Sequence, residues 1–293
     1  ITVVGLGVMG SIYAAYLARA GHRVTAIDPW TEHLRKVKKS GLLIKGFSKN
    51  LLVKGINTQS PSDPLQETEL FVIATKTTSL RTVGKFIAPM ADKLGVPIVT
   101  IQNGLGASDL LNNSIRSKKI IIGVAEGFGA QLEEPGVVYH TAMKRIRLGA
   151  IDSKYHKDLK TIILVFQSAG LPTEQCDSIR TLKWEKFILN VSLSAPCALA
   201  DINVKELMDC PPLWKVALEC GREAFKVAKF KGIDISYNDP EPVITEFAKG
   251  VGTARPSMAL DFSNHRLCEI DSINGRVKEE AASTNVETPV NDL

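Results

Sequence analysis

Lys186, Asn190 and Ser194 recur at four-residue steps in a stretch that is otherwise apolar: Trp184, Phe187, Ile188, Leu189, Val191 and Leu193. On a helix this spacing lines the three polar side chains along one narrow stripe. A solvated stripe favours Lys and Glu, whereas Asn and Ser are neutral to poor mid-helix choices. A polar strip lining a cleft accounts for the composition better. A lysine in such a strip suits carbonyl reduction. Hydride delivery to a keto carbon builds negative charge on its oxygen, and an ammonium there stabilises the charge and supplies the proton. A nearby carboxylate would keep the ammonium charged and hold its position.

The hydride needs a carrier, and the start of the chain offers a cradle for one. Gly5-Leu6-Gly7-Val8-Met9-Gly10 lies between an apolar run and a helical pattern. The three glycines serve different ends. Gly5 allows the tight turn, Gly7 the close approach of a pyrophosphate, and Gly10 close helix–strand packing. The helix N-terminus adds free N–H groups and a partial positive charge. Alone, GxGxxG is a weak signal. Here Asp28 ends the next apolar run, 23 positions after Gly5, near the spacing expected of a carboxylate that binds the ribose hydroxyls. A carboxylate there repels a 2′-phosphate, so NAD(H) is the favoured cofactor and NADP(H) the alternative. Arg23 precedes that strand and is poorly placed to offset the repulsion.

These groups need a scaffold, and the chain reads as alternating elements in its first half. Ile1–Val4, Val24–Ile27, Leu70–Ala74 and Val96–Ile101 are short apolar runs, as expected of strands covered on both faces. Helical patterns over Ser11–Ala20, Glu32–Lys39 and Arg81–Leu94 separate them, and Gly21 stands where a helix-ending glycine belongs. Leu42–Ile44 and Leu51–Val53 read as a strand pair. Lys119–Val124, Val137–His140 and Arg145–Leu148 read as further strands, Tyr155–Ala169 as a helix, and Leu171–Cys176 as extended chain. From Lys183 onward the pattern is helical, with breaks at Cys210-Pro211-Pro212, Gly232, Asp239-Pro240 and Arg255-Pro256. The expected fold is α/β: an N-terminal Rossmann-type doubly wound parallel sheet over residues 1–177, holding the dinucleotide, then an all-helical substrate and catalytic domain over residues 178–293.

Composition narrows the partners. A net charge of +5 over 293 residues is mild, so anionic small ligands fit and nucleic acid is not required. The basic run Arg35, Lys36, Lys38, Lys39, Lys45 and Lys49 has no interleaved aromatics of the kind that stack on single strands. Five widely spaced cysteines without a CxxC pair argue against both a disulfide scaffold and a zinc site. No His/Asp/Glu cluster has ligand spacing, so no metal is expected. No leader pattern and no apolar run of membrane-spanning length is legible, and the expected location is the cytoplasm.

Six ordered segments resemble the ketopantoate reductase family over nearly the full chain: Gly5–Gly10, Ala74-Thr75-Lys76, Gln102-Asn103-Gly104-Leu105-Gly106, Trp184-Glu185-Lys186 with Asn190, Pro256-Ser257-Met258, and Glu269-Ile270-Asp271-Ser272-Ile273-Asn274-Gly275. The resemblance implies a Rossmann domain followed by a helical domain, and reduction of 2-dehydropantoate (ketopantoate) to (R)-pantoate in pantothenate biosynthesis. It implies Lys186 as general acid, with Glu269 orienting it or binding substrate. Asn103 would contact the nicotinamide ribose or the substrate, and Lys76 would sit beside both. Asn190 and Ser257 would bind the substrate hydroxyl and carboxylate, and Ser194 lies on the same stripe. Ser257 also reads as a helix N-cap. Ser257 and Glu269 are 12 residues apart, about 18 Å in an unbroken helix. They serve one small ligand only if the chain breaks between them, and Ser263-Asn264-His265 offers that break.

Two positions depart from the family pattern. Ser194 stands where the family often has Asn, and a hydroxyl cannot present an amide's donor–acceptor pair. Many ketopantoate reductases use NADPH, with a basic residue near the end of the second strand, where this chain has Asp28-Pro29-Trp30. An NAD-dependent D-2-hydroxyacid dehydrogenase acting on another branched 2-oxo acid is therefore the rival enzyme. A dinucleotide-sensing protein without catalysis would need the cradle but neither Lys186 nor Glu269. A homodimer fits the class, though no interface is legible.

Overall fold

The computed structural model describes residues 1–47 and 50–293. Lys49 of the basic run lies outside the described residues. The chain divides into two compact units. One comprises Ile1–Gln102 with Ala107–Ile179, the other Asn103–Gly106 with Arg180–Leu293. The sequence boundary at 177 thus lies two residues before the observed division, and nothing in the pattern anticipates the transfer of residues 103–106.

The first unit begins with β1 (Thr2–Val4), α1 (Val8–Arg19), β2 (Thr25–Ile27), α2 (Thr31–Ser40), β3 (Leu42–Gly46), β4 (Leu51–Val53), β5 (Asn57–Gln59) and β6 (Phe71–Ile73). It continues through α3 (Leu80–Leu94), β7 (Ile98–Thr100), α4 (Ala107–Asn112), β8 (Ile120–Glu126), β9 (Gly129–Glu134), β10 (Val137–Ala142), β11 (Arg145–Ala150), α5 (His156–Ser168) and β12 (Thr173–Gln175). Eight strands form one sheet in the order β12-β11-β8-β7-β6-β1-β2-β5. All neighbours are parallel except β8 and β11. The order reverses at β1, with β2 on one side and β6 on the other. Such a reversal is where open α/β sheets bind ligands, beyond the carboxyl ends of the strands.

The strand pair β3–β4 forms as expected, with Leu42 opposite Val53, but it belongs to a second sheet of order β4-β3-β10-β9. Helix α1 touches β1 and also β3, β9 and β10. Contact on both sides explains its sequence: Ile12, Tyr13, Ala14, Ala15, Tyr16 and Leu17 are all buried, leaving no polar face. The strands β5 and β9 are polar in sequence and sit at sheet edges, where half of each strand faces solvent.

The second unit is helical: α6 (Ile179–Ala200), α7 (Val204–Met208), α8 (Pro211–Phe230), α9 (Pro240–Val251), α10 (Ser257–Ser263) and α11 (Asn274–Ala281). The expected breaks carry expected devices. Pro211 starts α8, and Asp239 caps α9 by accepting the Glu241 N–H at 3.0 Å. Gly232 follows α8 in the left-handed region. Buried Glu223 fixes the end of the chain, accepting the Val290 N–H at 2.9 Å and the Asn291 N–H at 3.0 Å. No helix among the described residues is long and apolar enough to cross a membrane.

Candidate active site

Each sequence segment singled out in the first unit follows a parallel strand. Gly5–Gly10 follows β1, Asp28 follows β2, and Thr75-Lys76 follows β6. Helix α1 starts at Val8, not at Ser11 as the pattern of apolar residues suggests, so Gly10 lies in its first turn. The three glycines prove unequal. A Cβ on Gly10 would lie 1.8 Å from the Gly5 carbonyl oxygen, and Gly5 itself has φ +93° with Thr75 2.7 Å from its absent Cβ. Both are demanded by the turn. Gly7 has φ −70° and nothing within 4 Å of a Cβ, so the fold leaves open space in front of it. The helix has no acidic residue in its first turn and no side-chain cap. Its first N–H groups therefore keep their donor capacity for an anion. This cradle fits a dinucleotide pyrophosphate.

Asp28 is half-buried, and both of its oxygens engage main chain. Oδ2 accepts the Leu6 N–H at 2.7 Å and Oδ1 accepts the Trp30 N–H at 2.8 Å. A carboxylate has about four lone-pair sites, so capacity remains for two ribose hydroxyls. A relay behind the loop holds it in place. The Ser11 hydroxyl donates to the Leu6 carbonyl at 3.2 Å and lies 3.4 Å from His33 Nε2. His33 Nδ1 accepts the Gly136 N–H at 3.0 Å, and its ring stacks on Trp30 with centroids 4.9 Å apart. Burial pulls the His33 pKa below the usual histidine range, partly offset by Asp28.

Lys76 is half-buried and immediately precedes the 3-10 turn Thr77–Ser79. The turn is fixed by a residue to which the sequence pattern assigns no role. Buried Gln102, just beyond β7, donates from Nε2 to the carbonyls of Ile73 at 2.8 Å and Thr75 at 3.1 Å. The only signal for it is an amide ending an apolar strand.

In the second unit Lys186 and Asn190 are half-buried and Ser194 is buried. The stripe on α6 is not a solvated face. Between its apolar flanks, Trp184, Phe187, Ile188 and Val191 enter the core. Glu269 immediately precedes the 3-10 turn Ile270–Ser272. Asn274 holds that segment in register, donating to the Val191 carbonyl at 3.0 Å and to Asn291 Oδ1 at 3.0 Å. Asn103 is tied to the same segment. Its neighbour Gly104 has φ +73° and approaches so closely that a Cβ would sit 2.1 Å from the Ser272 carbonyl oxygen, which also accepts the Leu105 N–H at 3.1 Å.

One lysine besides Lys186 emerges. Burial and the Lys186 ammonium draw the Lys183 pKa down to about 7, against the opposing pull of Glu269. Glu269 therefore acts on the lysine-bearing face of α6.

Ser257 requires a correction. It is the first residue of α10, and the N-cap position belongs to Pro256, without a side-chain cap bond. Pro256 holds the extended φ and ψ of a cap (−57°, 152°), so the serine enters the helix one place later, as an exposed residue. The anticipated break after it is present. α10 ends at Ser263, the Asn264 side chain donates to the Leu260 carbonyl at 2.6 Å, and His265 adopts φ +52°. Ser257 and Glu269 are thus not on one continuous helix. Among the described residues no group of three or more His, Cys, Asp or Glu could hold a metal ion.

Comparison with known proteins adds the family. The model described as Ketopantoate reductase PanE/ApbA matches residues 1–153, and that of its C-terminal part matches residues 178–293. A relative from Lactococcus lactis subsp. lactis, named 2-dehydropantoate 2-reductase, is 28% identical over 100% of this chain and 95% of its own length. One of the same name from Pyrococcus abyssi is 29% identical over 100% and 94%. A solved ternary structure of D-mandelate dehydrogenase with NADH and anilino(oxo)acetate matches with a TM-score of 0.90 at 26% identity, covering 100% of this chain and 95% of the other.

Proposed function

The chain belongs to the ketopantoate reductase family, and from that premise we propose that it reduces 2-dehydropantoate to (R)-pantoate, a step of pantothenate biosynthesis. What carries the reading is the face of α6, where Lys186, Asn190 and Ser194 share a stripe and where Glu269 acts on the neighbouring Lys183. A bound nicotinamide supplies the hydride. The Gly5–Gly10 turn and the α1 N-terminus hold its pyrophosphate, and Asp28 takes the adenosine ribose. Lys76 and Asn103 serve the nicotinamide end and the substrate.

Lys186 faces the keto oxygen. As the keto carbon gains hydride, negative charge grows on that oxygen, and the ammonium neutralises it and then gives up its proton. The product is the 2-hydroxy acid, and the amine regains its proton from solvent. Glu269 keeps Lys186 charged before transfer and limits its motion. Asn190, Ser194 and Ser257 bind the hydroxyl and carboxylate of the substrate.

Asp28 favours NAD(H) over NADP(H), because a 2′-phosphate would meet a carboxylate. That residue, together with the likeness to an NADH-bound D-mandelate dehydrogenase, favours a second reading: an NAD-dependent D-2-hydroxyacid dehydrogenase acting on another branched 2-oxo acid. The proposed location is the cytoplasm, and the proposed assembly is a homodimer.

Steady-state rates with ketopantoate, ketoisovalerate and ketoisocaproate, each with NADH and with NADPH, decide between the readings. Ketopantoate carries a hydroxyl that ketoisovalerate lacks. A site built to bond it should prefer it by about 10²-fold or more in kcat/KM. Equal turnover of the three acids would hand the assignment to the second reading, and a preference for NADPH would remove Asp28 as the determinant.

A further inference from the structure

The polar stripe of α6 extends one turn beyond the three residues its spacing first suggests. Lys183 lies three positions before Lys186 and seven before Asn190, on the same face of the helix. Cβ atoms three residues apart are about 5–6 Å from each other. Lys183 itself is half-buried. Its neighbours Leu182 and Trp184 are buried at 5% exposure each. Among the described residues, the charged groups acting on its amine are Lys186 on its own helix and Glu269 from the facing segment.

The charges at this face set a requirement. Of the helical unit's own charges at this face, Lys186 and Glu269 cancel, Lys76 being part of the other unit. A 2-oxo acid brings a further negative charge, and a carboxylate leaving water for a neutral site gains nothing to offset its desolvation. The carboxylate is also bonded directly to the keto carbon, so the group that receives it must stand beside the group that receives the keto oxygen. A lysine one turn from Lys186 meets both conditions.

We propose that Lys183 is the second cation that α6 supplies to the substrate site, holding the carboxylate of the 2-oxo acid while Lys186 faces the keto oxygen. This rests on the assignment of Lys186 as proton donor. Before substrate arrives, the amine, with its pKa drawn down to about 7, is charged only part of the time at neutral pH. An arriving carboxylate stabilises the charged form, so the anion and a proton bind together above that pH. Capture is tight below pH 7 and weakens as pH rises through it.

The test is the pH dependence of KM for ketopantoate at saturating NADH, between pH 6 and 8.5, in the full chain. Wild type should show a flat KM below about pH 7, climbing by up to about tenfold per unit above it. Lys183→Met should raise KM about 30-fold or more and flatten the profile, with kcat within about threefold and NADH affinity unchanged. Lys183→Arg, which cannot lose its proton here, should keep KM low through pH 8.5. A wild-type profile in Lys183→Met overturns the proposal, as does a loss of kcat without a rise in KM. Should the methionine variant fail to fold, the arginine variant decides, because a KM that still climbs above pH 7 overturns the proposal. Lys186→Ala separates the two claims: unchanged kcat there would refute the proton donor while leaving the Lys183 profile to be judged alone.

Discussion

The turn after β1 and the lysine-bearing face of α6 are the two places proposed to receive negative groups, and they are built from different material. The turn uses main-chain N–H groups at a helix end, placed by glycines whose Cβ atoms would collide with backbone. Main-chain donors carry no titratable proton, so that site is insensitive to pH and intolerant of added atoms. The α6 face uses side chains, whose charge responds to burial and to each other, burial and the Lys186 ammonium both pulling the Lys183 pKa down. A ligand that must only be held, such as a pyrophosphate, suits the first material. A group that must change protonation during a reaction needs the second.

Substitutions can break or sharpen this contrast. The largest effect belongs to Gly10→Val. Its Cβ would sit 1.8 Å from the Gly5 carbonyl, so the turn cannot close. A loss of about 3–5 kcal/mol in stability and of all measurable NADH binding is expected from thermal melts and fluorescence titration. An intact, NADH-binding protein would show that the turn is more plastic than its geometry allows.

Lys186→Ala comes next. Here kcat should fall by about 10²–10⁴, while NADH affinity and melting temperature stay near wild type. Parallel loss of cofactor binding would mean that the two regions are not separable by material.

Gly7→Ala is subtler. The fold leaves its Cβ free, so stability should change by about 1 kcal/mol or less, yet NADH should bind about tenfold more weakly if that space belongs to the ligand. Unaltered affinity would remove Gly7 from the cradle.

The smallest effect is a pH dependence below pH 6.5 that two histidines of the first unit contribute. His33 and His140 are buried, and burial depresses both pKa values below the 6.5 of an unperturbed histidine. Below pH 6.5 the unfolded chain takes up protons that the folded unit resists. Stability should therefore fall from pH 6.5 down to the folded values and level off beneath them. Thermal melts from pH 7.5 to 5 check this, and His33→Gln should reduce the slope. A melting temperature that rises on acidification would contradict the assignment.

Much of this arrangement is legible in the residues themselves. The glycines, the spacing to Asp28 and the three-residue stripe are local patterns, each contained in one short stretch. The break at Ser263-Asn264-His265 is legible for the same reason, as small polar residues compete with the helix for its own hydrogen bonds. What escapes is set by partners distant in sequence. β5 has no apolar alternation to announce it, and it forms because Asn57–Gln59 pairs with Thr25–Ile27. Gln102 looks inert until the carbonyls of Ile73 and Thr75 are placed beside it. Ser257 reads one place off because a proline can hold the extended backbone of a cap without offering a side-chain acceptor. Lys183 gives no signal because a lysine next to Trp184 carries no hint of whether its amine reaches water.

Residues 103–106 have a practical bearing on protein engineering. Leu105 lies 8% exposed in the helical core, although the gene encodes it in the middle of the sheet-forming half. Expressing the C-terminal segment alone, or grafting it onto a relative at residue 179, would leave a leucine-sized void costing about 2–5 kcal/mol. A chimera that respects the three-dimensional seam must exchange that tetrapeptide along with the helices.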